Sequence, residues 1–115
     1  MNAQEIVTQL TDLTTELKTT VSELAELDEL AVRAEWKERQ AYARAFMSLS
    51  GSMEIRKQQA VLDTSGGTLE RELADMRVRA AKARIKYLEV AFDAIRSISA
   101  ARRAEFASEP TGQYT

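Results

Sequence analysis

The chain predicts an all-α protein of long helices, and three observations carry that expectation. Only four Gly and one Pro occur in 115 residues, whereas a β-rich fold needs turn residues every 8–12 positions or so. Apolar residues step by 4 and 3 through two long stretches. No Gly or Pro interrupts Thr68–Glu109. The expected architecture is a helical hairpin or coiled coil built into a homo-oligomeric assembly. Helices drawn out of so short a chain bury little against themselves, so other copies or a partner must complete the packing.

Residues 1–50 read as one acidic-to-basic heptad helix, a coiled-coil arm. Ile6, Leu10, Leu13, Leu17, Thr20, Leu24, Leu27, Ala31 and Ala34 follow an a/d pattern with one polar break, at Thr20. Val21 and Leu30 fall off the stripe, so a bend near Asp28–Ala31 is an open alternative. The seam serves either an interchain coiled coil, the favoured reading, or a helix of its own chain. Leu10, Leu13, Leu17, Leu24 and Leu27 are the candidate oligomerisation residues of this arm. From Trp36 to Leu49, aromatics interleave with Arg33, Lys37, Arg39 and Arg44. Such a mixture can stack bases and hold phosphates, but Trp36, Ala43 and Phe46 fit a core face better.

Residues 51–67 read as a joint, a short helix and a Gly-Gly turn. Gly51 suits a helix C-cap. Ser52 suits the N-cap of a helix starting at Met53, with Glu54 favourable in its first turn. The chain can therefore reverse here. Asp63–Thr68 contains Gly66-Gly67 with Asp, Ser and Thr, a turn composition, and Thr68 is a candidate cap for the next helix; a helix running on through the glycines, at about 1 kcal/mol each against Ala, is the open alternative.

Residues 68–108 read as a long, basic, Ala-rich helix, and residues 109–115 as a frayed tail. At about 100° per residue the long helix carries two apolar stripes. Met76, Ala80, Ala83, Tyr87, Val90 and Ala94 form one, preceded in the same register by Leu69 and Leu73. Val78, Ala81, Ile85, Leu88, Phe92 and Ile95 form the other. Two stripes call for two partners, and Leu73, Met76 and Tyr87 join the candidate oligomerisation residues. Arg79, Lys82 and Lys86 lie between the stripes, with Arg77 and Arg84 at the opposite border. Arg84 is open to either phosphate or a carboxylate of a neighbour.

Net charge is −2 overall, but its layout is uneven. Residues 1–30 hold seven carboxylates against Lys18 alone, whereas Met76–Arg103 holds eight cations against Glu89 and Asp93. Such an asymmetry fits a solvated helix surface, or more sharply a cationic face for a polyanion. A long, greasy helix is ill suited to a duplex groove, so phosphate contact without base readout is the better match. Repetition around an oligomer would multiply a weak patch.

No catalytic constellation is present. The chain lacks His, which removes the commonest general base and metal ligand. Ser65-Gly66-Gly67-Thr68 lacks the lysine of a phosphate loop. Glu70 and Glu72 fall on different helix faces. No enzyme activity, metal or cofactor is expected. The absence of Cys suits a reducing cytoplasm. No apolar run approaches 20 or so residues, so no membrane span is expected, nor does the N-terminus read as a signal peptide.

Two segments carry a resemblance. Phe46–Ala60, an aromatic helix end followed by Ser48-Leu49-Ser50-Gly51-Ser52 and the charged Met53-Glu54-Ile55-Arg56-Lys57-Gln58-Gln59, looks like a motif of small helical proteins of tailed phages. Ala81-Lys82-Ala83-Arg84-Ile85-Lys86-Tyr87 is similar to the Lys-Ala-Arg-aliphatic-x-Tyr run of the UvsY-type recombination mediators. Phe92-Asp93-Ala94-Ile95-Arg96-Ser97 resembles the closing helix of that family. The two matches do not sit at the family's spacing, and the N-terminal arm is longer than the family's. The resemblance implies a homo-oligomeric protein of the bacterial host's cytoplasm. It would bind single-stranded DNA through Lys82 and Arg84, with Arg56 and Lys57 matching the charged start of the second helix; Arg79 and Lys86 join this set from their place on the basic face of the helix. It would help load a RecA-class recombinase onto strands covered by single-strand-binding protein. The alternative is a phage accessory factor that binds protein and not DNA: a scaffold, chaperone or host-protein inhibitor.

Overall fold

The computed structural model describes residues 1–108; the expected tail, 109–115, lies outside them. These residues form three helices, α1 (Ala3–Ser48), α2 (Met53–Asp63) and α3 (Ser65–Ser108), and among them there is no strand.

α1 begins with a reciprocal cap. Asn2 Oδ1 accepts from the Glu5 backbone N–H at 2.8 Å, and the Glu5 carboxylate accepts from the Asn2 backbone N–H at 3.4 Å. Two donors otherwise unmet at a helix start are satisfied in this way. The helix then runs 46 residues without interruption. It ends before Gly51, whose φ of 109° only glycine adopts without strain. Ser52 caps α2, its side-chain oxygen accepting from the Ile55 N–H at 3.3 Å.

The second boundary differs from the expected glycine turn. The interruption is a single residue, Thr64, and Gly66 and Gly67 lie inside the first turn of α3. The Thr64 N–H still reaches Ala60 O at 3.1 Å and its hydroxyl donates to the same carbonyl at 2.7 Å. Thr68 N–H reaches Thr64 O at 3.1 Å. Helix-type i→i−4 bonds thus pass through the joint, and Thr68 continues a helix that starts three residues earlier.

The chain divides into two compact units: Met1–Val21 with the chain from Ala83 onward, and Ser22–Lys82. In the first, α3 runs antiparallel to α1. Arg102 donates to the Met1 carbonyl, and Arg84 pairs with Glu16. Ile6, Thr20 and Leu88 are its buried residues. In the second, the helices are again antiparallel. Arg56 sits on Phe46 and Arg71 bonds Glu38. Ala60, Thr64, Ala74, Val78 and Ala81 are buried there.

The seam of α1 is therefore occupied within one chain. Leu10, Leu13, Leu17, Leu24 and Leu27 are all half-buried without any second copy. On α3 the stripe containing Val78, Ala81, Ile85 and Leu88 faces inward in its respective units, while Met76, Ala80, Tyr87 and Val90 are exposed. Thr20, the one polar residue of the α1 seam, is buried, and its hydroxyl donates to Glu16 O at 2.8 Å. That bond removes the penalty of an unmet buried hydroxyl.

Candidate nucleic-acid interface

The basic run of α3 is helical because nothing in it breaks a helix, and Ala and the long straight-chain cations are strong helix formers. Its cations meet different fates. In the second unit Arg77, Arg79 and Lys82 are exposed, and no ion pair holds them among the described residues. The neighbouring Arg71 is the opposite case. Its Nε donates to Glu38 at 2.6 Å and its Nη1 to Asp75 at 3.2 Å. The hydrogen bond and charge of Glu38 raise the pKa of Arg71; partial burial opposes this and Asp75 adds to it. Arg71 is a fixed internal cation, not a ligand-binding one.

In the first unit Lys86 is exposed and unpaired among the described residues. Arg84 is not available in the same way. Its guanidinium pairs with Glu16 of the same chain. The carboxylate that holds it comes from α1 and not from a neighbour, because the antiparallel register brings the acidic arm alongside the basic helix.

The second basic pair separates as well. Lys57 is exposed, but Arg56 is half-buried. Its guanidinium lies 4.8 Å from the centroid of Phe46, a cation–π contact, and its Nε is buried with no hydrogen-bond partner. Arg56 packs where the sequence suggested phosphate contact.

The aromatics also depart from expectation. Phe46 stacks on Tyr42 with centroids 6.3 Å apart, and both are half-buried. Trp36 is 60% exposed and Ala43 is exposed, so they are not core. The inward face of α1 passes through Ala34 and Glu38. Trp36 stands two residues from each, about 200° around the helix.

Of the candidate oligomerisation residues, Leu73, Met76 and Tyr87 remain exposed. No group of three carboxylates that could hold a metal ion occurs among the described residues, and no helix there is long and apolar enough to cross a membrane. Three features escaped the sequence reading: the Asn2–Glu5 cap, the Glu38–Arg71 bond and the Glu16–Arg84 pair. Only the first has a local signal, the Asn-x-x-Glu spacing. No family model, curated protein or solved structure matches the chain.

Proposed function

We propose that the chain is a non-enzymatic helical protein that binds single-stranded DNA through its phosphates as a homo-oligomer. Its role would be that of a recombination mediator for a RecA-class recombinase on strands carrying single-strand-binding protein, in the cytoplasm of a phage-infected bacterium. One observation supports this reading: the α3 cations Arg77, Arg79, Lys82 and Lys86 are exposed and unpaired among the described residues, in a stretch with no carboxylate between Asp75 and Glu89. The DNA-contacting set narrows to Lys82 and Lys86, with Arg79 beside them. Arg84 and Arg56 drop to supporting roles.

A second reading is favoured by a different observation. Leu69, Leu73 and Met76 are exposed on one face, as a protein-binding accessory factor without DNA affinity would require.

Anisotropy of labelled oligo-dT at several salt concentrations separates the two. Two phosphate contacts per copy, at Lys82 and Lys86, give a slope of log K against log salt of about −1.4, at roughly −0.7 per contact for single strands. Lys82→Ala with Lys86→Ala should lower affinity at least tenfold, and Arg84→Ala much less. Absence of binding at low salt would leave the protein-binding reading.

A further inference from the structure

The second unit turns an unbroken seven-residue ladder to solvent. Ile55, Leu62, Leu69 and Met76 recur every seven positions and are 64%, 68%, 57% and 49% exposed. Leu73, 38% exposed, stands between the last two. The inward residues of the same helices are Arg56, Ala60, Thr64, Arg71, Ala74 and Val78. Their spacing of 4 and 3 holds phase across Thr64, apart from one step of seven. The outer ladder lies about 180° from them at 100° per residue. Large aliphatics on so long a face, at a coiled-coil repeat, call for a helical partner.

The charges beside the ladder identify that partner. Glu70 and Glu72 flank it on one side of Leu73–Met76, and Arg77 and Arg79 on the other. All four are exposed. Glu70, Arg77 and Arg79 have no ion pair among the described residues, and Glu72 has only a 3.9 Å approach from Arg71. The face is acidic at one end and basic at the other, so it complements itself only when a second copy runs the opposite way. We propose that two copies of this chain pair antiparallel through this face, about a two-fold axis between residues 74 and 75.

In that register Leu73 meets Met76 of the second copy, and Leu69 meets Ala80. Glu70 reaches Arg77, and Glu72 reaches Arg79. All four contacts occur twice, as two-fold symmetry requires. A parallel pair in the same seam would set Glu72 near Arg77 but place Arg79 next to another arginine, Arg84. The pairing deepens the homo-oligomer part of the proposed function and rests on it. It does not rest on DNA binding, and it commits Arg79 to Glu72, leaving Lys82 and Lys86 for phosphate.

The chain contains no cysteine, so introduced cysteines report the register directly. Leu69→Cys and Ala80→Cys variants are prepared separately, checked for helicity by circular dichroism, then oxidised alone and as an equimolar mixture. The proposal expects several-fold more disulfide-linked pair in the mixture than in either variant alone. It also expects light scattering of the unaltered protein to give a pair or an even multiple of it. Leu69→Asp with Met76→Asp should halve the mass without loss of helicity. Equal linkage of each variant with itself, or a monomeric mass at about 100 μM, would overturn it. A pair that ignores oligo-dT defeats the DNA reading alone; a monomer that binds oligo-dT defeats the pairing alone.

Discussion

The Arg71 guanidinium and the Glu38 carboxylate meet at 2.6 Å, with both side chains less than a third exposed. This bond joins α3 to α1 across 33 positions of sequence, whereas Arg33–Glu29 and Arg39–Glu35 are exposed pairs within one turn of α1. Exposed i,i+4 pairs contribute little, but a half-buried cation that loses its carboxylate is left poorly solvated. Glu38→Ala should therefore lower the melting temperature several times more than Glu29→Ala, as read by circular dichroism. The raised pKa of Arg71 gives a sign for pH. Its contribution is complete below the ordinary arginine pKa and is lost only as pH rises past the raised value. No loss from this group is expected between pH 6 and 10 or so.

Tyr87 and Leu88 are adjacent in sequence and opposite in burial, at 69% and 2% exposed. Leu88→Ala removes atoms from a closed site and should cost about 2–5 kcal/mol in urea unfolding. Tyr87→Ala should change the stability of the single chain by less than about 0.5 kcal/mol.

Glycines 51 and 66 should respond to alanine with opposite signs. Gly66 lies in a helix with open space around an added Cβ, so Gly66→Ala should stabilise by about 0.5–1 kcal/mol. Gly51 sits at φ 109°, and Gly51→Ala should destabilise by about 1 kcal/mol. Paired thermal melts decide both.

Thr20 is buried in an otherwise leucine-rich seam. Its side-chain hydroxyl donates to Glu16 O, a carbonyl that the helix already engages. Thr20→Val keeps the shape and removes a polar atom, and should raise stability by about 0.5–1 kcal/mol in the same urea assay.

Periodicity made the helices legible. Ile6 through Ala34 and the two α3 stripes marked apolar faces by their spacing, but which α3 stripe turns inward, the one from Val78 to Ile95, was not marked by it. Gly51-Ser52 marked the first joint for equally local reasons. The paired glycines misled because turn composition measures backbone freedom, not its use: Gly66 and Gly67 are accommodated in a helix whose neighbouring residues pack. The partner of the α1 seam was not legible. A heptad of leucines looks the same whether its complement is another copy or a distant part of the same chain, and here α3 half-buries that seam within one chain. The basic set was visible as a composition, but its division was not. Arg84 and Arg79 differ in availability only because the fold brings Glu16 beside Arg84.

The inward residues keep their helical phase across Thr64, where i→i−4 bonds continue. One residue added between Asp63 and Ser65 would turn Ile55 and Leu62 by about 100° relative to Leu69 and Met76, splitting the outward ladder into two short fragments that point different ways. Seven added residues would restore its azimuth. The joint behaves like a keyed shaft coupling, and natural length variation at this point should come in multiples that preserve the key.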